Sequence, residues 1–130
     1  MKKIVLLTAV FGFQLSTLFA QQSATLDPRI AEVYTGVPQY TTPAHVAMYE
    51  ENLGRVEVKH VVPTATENYT LLSSVPLKNK YNQALVYDNG SNFNPAQFNA
   101  LKYLFSFYPI QDMTYRVDNT EYVIIIHKKP

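Results

Sequence analysis

The chain has 130 residues, a formal net charge of +1 and no cysteine. Its basic residues are scattered, which argues against nucleic-acid binding, because proteins that hold phosphates group their Lys and Arg. The lack of cysteine excludes disulfides, thiolate zinc sites and thiol catalysis, so the fold must depend on its packed core.

Residues 1–20 have the three parts of a secretory signal peptide. Lys2 and Lys3 form a basic start, residues 4–19 form an apolar run, and Ala20 supplies the small residue that a signal peptidase needs. The run is short for a membrane span, which takes about 20 mostly apolar residues. We therefore expect cleavage, export to the periplasm or the medium of a bacterium, and no membrane span in the mature chain.

The mature chain has the length of one domain. Residues 21–26 are predicted to be a flexible polar lead-in, and residues 27–130 are predicted to be a single domain. Asp27 followed by Pro28 is a typical helix start, because Asp caps exposed amides and Pro fits the first turn. A short helix over 28–35 is therefore predicted.

The same start signal recurs at Thr42 and Pro43. It precedes good helix formers and a glycine, which predicts a second helix over 44–53. The apolar spacing predicts that Val46, Tyr49 and Leu53 point inward. Glu50, Glu51 and Asn52 are predicted to face water.

After Gly54 the hydrophobic period changes from helical to two. Alternation over 55–62 predicts a strand with one wet face. A less regular strand is predicted over 69–75, and a brief one over 84–87. Asn94 and Pro95 then resemble a capped helix start.

The pattern of apolar residues in the last third of the chain predicts a β-meander, with strands over 103–108, 113–117 and 122–127. Asp118 and Asn119 are good turn residues between the last two strands. The last strand is continuously apolar, so we expect it to be covered on both faces and central in its sheet. The predicted fold is α+β: an antiparallel sheet of four or five strands, with two or three short helices mainly on one face.

No pattern of polar residues predicts catalysis or metal binding. His45, His60 and His127 lack the spacing of helical zinc sites. Ser73 and Ser74 lack the glycines of a nucleophile elbow. We therefore predict that the protein is not an enzyme and has no metal and no cofactor.

The strongest functional candidate is the loop from Lys80 to Phe93. Aromatic faces and amide groups together can hold a sugar ring, a peptide or a protein partner, and all ten tyrosines of the chain follow the leader. The alternative, that the loop packs its rings onto its own domain, is favoured for most aromatics of a small domain. The predicted binding residues are Tyr81, Asn82, Tyr87, Asn92 and Phe93.

The end of the leader, Phe19-Ala20-Gln21-Gln22, and the Asn- and Tyr-rich tail from Tyr115 to Tyr122 resemble small exported proteins of the Bacteroidota. The resemblance implies a periplasmic or secreted location in a bacterium with two membranes. It implies no particular activity.

These observations predict a non-enzymatic interaction module of the periplasm or the medium, serving as an accessory subunit of a cell-envelope complex with a protein partner. The alternative is a small-ligand binding protein that holds a glycan or a peptide on the aromatic loop. A pocket lined by Tyr81, Tyr87 and Phe93 would support the alternative, and a self-packed loop would not.

Overall fold

The computed structural model describes residues 26–130. The predicted signal peptide, and the lead-in up to residue 25, therefore lie outside the described residues. Within residues 26–130 the fold is α+β, with two α-helices and a four-stranded mixed sheet. None of the helices in this range has the length and apolar character that crossing a bilayer requires.

Both α-helices begin at the predicted caps. Helix α1 spans Pro28–Val33, and the side chain of Asp27 accepts a hydrogen bond from the backbone N–H of Arg29 at 2.8 Å. Helix α2 spans Pro43–Gly54, and the side chain of Thr42 accepts from the backbone N–H of His45. These caps satisfy amides that the helices leave free.

One assignment on α2 is wrong. Asn52 was expected in water, but it is buried together with Tyr49 and Leu53. Arg55 explains the difference, because its Nη2 donates to Oδ1 of Asn52 at 2.8 Å. Burying an amide is tolerated where it finds a hydrogen-bond partner.

The sheet has the order β1-β4-β3-β2. Its strands are β1 (Val56–His60), β2 (Thr70–Leu71), β3 (Met113–Arg116) and β4 (Tyr122–Ile126). β4 pairs antiparallel with β1 and with β3, so Ile124 lies between Val58 and Tyr115. The prediction that the last strand is central is confirmed.

The prediction that the sheet is antiparallel is wrong for one pair of strands. β2 runs parallel to β3, with Thr70 beside Tyr115 and Leu71 beside Arg116. Instead of turning back in a hairpin, the chain after β1 takes the connection of residues 61–69 to the opposite edge of the sheet. It therefore enters β2 in the direction of β3.

Three predicted strands are shorter than expected or absent. The strand over 69–75 is reduced to β2, because a 3-10 turn, Leu72–Ser74, follows at once. No ladder forms over 84–87, and the segment 103–108 contributes only an isolated bridge from Tyr103 to Leu77. The predicted meander is therefore a hairpin of β3 and β4.

Segment 103–108 nevertheless has the predicted alternation of buried and exposed side chains. Tyr103, Phe105 and Phe107 are buried. The ring of Phe105 lies 5.0 Å from that of Tyr115 on β3. The segment therefore contributes its rings to the core without joining the sheet through backbone pairing.

The core lies on one face of the sheet. Ile124 and Ile126 belong to the same buried cluster as Ile30 of α1 and Leu53 of α2. Because neighbouring residues of a strand point to opposite faces, Val123 lies on the other face and is also buried.

The connection 61–69 covers that second face near Arg116. Arg116 donates from Nη1 to the carbonyl oxygen of Val61 at 2.6 Å, and its Nε donates to Oε2 of Glu67 at 3.0 Å. The second face is therefore covered by this connection around Val123 and Arg116, whereas Glu57 and Lys59, on the same face of β1, remain exposed.

Candidate functional site

Four tyrosines from separate parts of the chain meet beside α1 and α2. We call Tyr34, Tyr40, Tyr49 and Tyr81 the tyrosine cluster. Tyr34 stacks on Tyr49 with ring centroids 4.8 Å apart. Tyr40 lies 5.6 Å from Tyr34 and 5.1 Å from Tyr81. Such ring pairs stabilise beyond their buried area, so the cluster joins both helical segments to the turn at residue 81.

The cluster borders a groove of about 380 Å³, which we call the tyrosine groove. Its walls are aromatic or aliphatic and consist of Tyr34, Tyr40, Tyr81, Leu77 and Leu104. Its polar groups come from one turn and are Lys78, Asn79 and Lys80. A second groove of about 290 Å³, lined in part by Val37 and Pro38, shares Tyr34 with the first.

Of the two lysines at the groove, Lys78 is the less exposed. Its Nζ donates to the hydroxyl oxygen of Tyr34 at 2.8 Å and lies 5.4 Å from the centre of the same ring. Burial lowers the pKa of Lys78, as expected for an ammonium withdrawn from water. In residues 26–130 no carboxylate forms an ion pair with Lys78, and residues 1–25 contain no Asp or Glu.

The phenols do not supply the missing negative charge. Burial raises the pKa of Tyr49 well above its usual range, with a smaller contribution from its hydrogen bond with Tyr34. A hydrogen bond with Tyr40 raises the pKa of Tyr81 to about 12. Tyr49 and Tyr81 are therefore neutral near pH 7 and do not supply a negative charge to Lys78.

Of the predicted binding residues, only Tyr81 lines this groove. Asn82 lies next to it, but its amide is already bonded to the backbone. Nδ2 donates to the carbonyl oxygen of Glu32 at 2.7 Å, and Oδ1 accepts from the N–H of Ala84 at 3.1 Å. Asn82 therefore fixes the turn against α1.

The other three predicted residues have separate neighbours. The ring of Tyr87 lies 5.9 Å from that of Tyr103, and the ring of Phe93 lies 5.5 Å from that of Tyr122. Asn92 donates from Nδ2 to the carbonyl oxygen of Tyr87 at 3.0 Å. Neither Tyr87 nor Phe93 lines the tyrosine groove, and the rings of both pack on other aromatic residues of the domain.

Two histidines are bonded to carboxylates at the surface. His127 lies between Asp112 at Nδ1 and Glu57 at Nε2, each 2.9 Å away. Hydrogen bonds with Asp112, and then with Glu57, raise the pKa of His127. His60 lies 2.8 Å from Glu121. Within residues 26–130, no group of three or more His, Asp or Glu side chains has an arrangement that could hold a metal ion.

The residues that sequence reasoning missed are Tyr34, Tyr40 and Lys78. They belong to segments that no periodic pattern connects, so only the fold brings them to Tyr81. No protein-family model, curated protein or solved structure matches the chain. The tyrosine groove must therefore be interpreted from its own chemistry.

Proposed function

We propose that this chain is an exported, non-enzymatic interaction module of the bacterial cell envelope. Its tyrosine groove binds an extended segment of a protein partner, and an acidic group of that segment lies against Lys78. The observation that supports this proposal most directly is the half-buried ammonium of Lys78, which has a phenol as its only side-chain hydrogen-bond partner among residues 26–130.

A buried cation is costly unless an anion or several dipoles compensate it. Lys102, which is more deeply buried than Lys78, follows this rule, because its Nζ lies 3.0 Å from Oδ2 of Asp88. Lys78 has no such partner in the described part of the chain. A carboxylate from outside would supply the missing charge, and Lys80, which also lines the groove, would add to the attraction.

The shape of the site favours an extended polypeptide over a compact sugar. The two grooves share Tyr34 in their linings, so a bound segment that is extended could contact both. Sugar rings stack on flat, free aromatic faces, whereas here Tyr49 stacks on one face of Tyr34, and the rings of Tyr40 and Tyr81 are tilted by 43° to each other. Leu104 adds an exposed apolar side chain at the groove, which suits an aliphatic or aromatic anchor residue.

Export is supported by the pattern of the leader and by the resemblance of leader and tail to exported proteins of the Bacteroidota. The absence of a nucleophile pattern in the sequence supports a role in binding. An accessory subunit of an envelope complex would need both a signal, which the leader pattern supports, and a docking groove, which the tyrosine groove would supply.

The test is affinity purification of the tagged full-length chain from envelopes of its native host, with quantitative mass spectrometry. We expect Lys78→Met to lower the recovery of the partner by about tenfold, and Lys78→Arg, which keeps the charge, to retain most of it. The matched control is Lys128→Met, which removes an exposed lysine without a salt bridge in the described residues. Recovery of the unaltered chain without any partner would refute the proposal.

Two soluble probes separate the proposed ligand from the alternative. Polyglutamate represents an acidic polypeptide, and polygalacturonate represents an acidic glycan. Binding of polyglutamate that is lost in Lys78→Met supports the peptide groove. Binding of polygalacturonate alone would contradict it and favour the glycan-binding alternative.

A further inference from the structure

Strand β1 is one edge of the sheet. The carbonyl oxygen of Arg55 accepts from the N–H of His127 at 2.8 Å, and the N–H of Val61 donates to the carbonyl oxygen of Glu121 at 2.8 Å. Residues 55 and 61 therefore direct their backbone groups towards β4. In an antiparallel ladder, residues that bond to the partner strand alternate with residues whose backbone groups point away from it. The N–H and C=O groups of residues 56, 58 and 60 therefore point outward from the sheet.

In the part of the chain that the structure describes, no other strand and no loop backbone bonds to these outward groups. Val56 and Val58 are half-buried against the core, and Glu57 and Lys59 extend into water from the other face. Proteins usually protect such an edge, because it is a template for pairing with another strand.

The sequence of this edge is complementary to itself. When a second copy of β1 is laid alongside in the opposite direction with Val58 opposite Val58, residue 56 faces residue 60 and Glu57 faces Lys59. Each outward backbone group then meets an outward group of the other copy, which gives about six hydrogen bonds. The Glu57–Lys59 pair occurs twice by symmetry, and opposite charges directly across two strands stabilise their pairing.

Only this register combines the backbone bonds with the charges. A slip of one residue would bring outward groups against groups already bonded to β4. A slip of two residues would put Glu57 opposite Glu57, or Lys59 opposite Lys59, and like charges in direct opposition are destabilising. Lys59 has no salt bridge within residues 26–130. Glu57 bonds to His127 through Oε1, so its Oε2 is the oxygen that would face Lys59 of the other copy.

We propose that this protein forms a two-fold symmetric homodimer in which the β1 strands of two copies pair antiparallel about Val58. The two four-stranded sheets then form one continuous sheet. Such an interface is isologous, as is usual for homodimers. The residues that line the tyrosine groove are not on β1, so a dimer carries two grooves and this inference stands independently of the proposed ligand.

The test is sedimentation equilibrium of the full chain, purified as its native host exports it, from about 1 to 200 µM. We expect a reversible monomer–dimer equilibrium. Lys59→Glu should weaken it by about tenfold or more, because both symmetric pairs change from attraction to repulsion. Glu57→Lys should do the same, and the double exchange Glu57→Lys with Lys59→Glu should restore the dimer.

A second variant tests the backbone contact. Val58→Pro removes an outward N–H and leaves the bonds to β4, so it should abolish the dimer without unfolding the chain, as circular dichroism would check. Lys128→Glu, which carries the same change of charge at an exposed position outside both β1 and the tyrosine groove, is the matched control and should dimerise normally.

A chain that is monomeric over the whole concentration range would overturn the proposal. So would a dimer whose dissociation constant is unaffected by the charge exchanges. Slow hydrogen exchange of the Val58 amide in a monomer would show that the N-terminal residues of the same chain cover the edge, which also contradicts dimerisation there.

Discussion

Replacing Glu67 with glutamine keeps the shape of the side chain and removes its charge, and it tests what holds the connection 61–69 on the sheet. The guanidinium of Arg116 is only 4% exposed, and it donates to both carboxylate oxygens of Glu67 and to the carbonyl oxygen of Val61. Without the carboxylate, a cation would remain in the sheet with dipoles alone around it.

The expected loss in the free energy of unfolding is about 2 to 3 kcal/mol. Breaking a buried ion pair by removing one partner costs about 3 to 5 kcal/mol. The Glu67 side chain is 19% exposed, and glutamine keeps one accepting oxygen, so the value should fall below that range. For a domain of this size the melting temperature should decrease by roughly 10 °C.

The measurement is urea unfolding followed by far-ultraviolet circular dichroism. The matched control is Glu121→Gln, whose side chain is 58% exposed in its pair with His60, and which should change stability by less than about 0.5 kcal/mol. Adding Arg116→Met to Glu67→Gln should recover part of the loss, because the stranded cation is then gone. Equal effects of Glu67→Gln and Glu121→Gln would show that the pair does not hold the connection.

Two further predictions concern His127, which follows β4, and Gly90, which lies against Asn119 in the turn between β3 and β4. Because hydrogen bonds with Asp112 and a second carboxylate raise the pKa of His127 from 6.5, its stabilisation is fully present below that value and is lost as the pH rises through the folded-state pKa. His127→Asn should therefore flatten the dependence of the melting temperature on pH above about pH 6, measured by scanning calorimetry. A Cβ on Gly90 would lie 2.7 Å from the carbonyl oxygen of Asn119, so Gly90→Ala should cost about 1 to 3 kcal/mol. Gly54→Ala has open space around it and should not destabilise; equal stability of the two variants in urea would contradict the predicted clash.

Local physics explains which parts of the fold were predictable. Asp27 and Thr42 were identified as caps because a side chain bonds amides only two or three residues away. Asn119 was identified as a turn residue because it tolerates left-handed backbone, and its φ is 58°. Such signals need no knowledge of distant residues.

Strand pairing was less predictable, because the alternation of apolar and polar residues shows which face of a segment is exposed to solvent. It does not show which segment its backbone groups bond to. The segment 103–108 has buried Tyr103, Phe105 and Phe107, as predicted, yet only one bridge joins it to another segment. The parallel pairing of β2 depends on the path of the connection 61–69, for which no local pattern exists.

The candidate site was predicted only at Tyr81. Asn82 and Asn92 have the amides that a binding loop would use, but Asn side chains in loops also bond their own backbone, and both do so here. Tyr34 and Lys78 could not be assigned to the site from sequence, because their contact joins residues far apart in the chain.

The hydrogen-bond partners of Lys78 can be compared with those of other buried or half-buried cations in the described part of the chain. Arg116 and Lys102 each meet a carboxylate, and each pair joins two segments of the fold. Arg55 lacks a carboxylate, but it donates to three oxygens of backbone and amide groups. Lys78 bonds through its ammonium to one phenol, so a methionine should replace it with a change in stability of no more than about 1 kcal/mol. Unchanged stability of Lys78→Met in urea would show that the fold does not need this charge, as expected if it serves the proposed acidic ligand of the tyrosine groove.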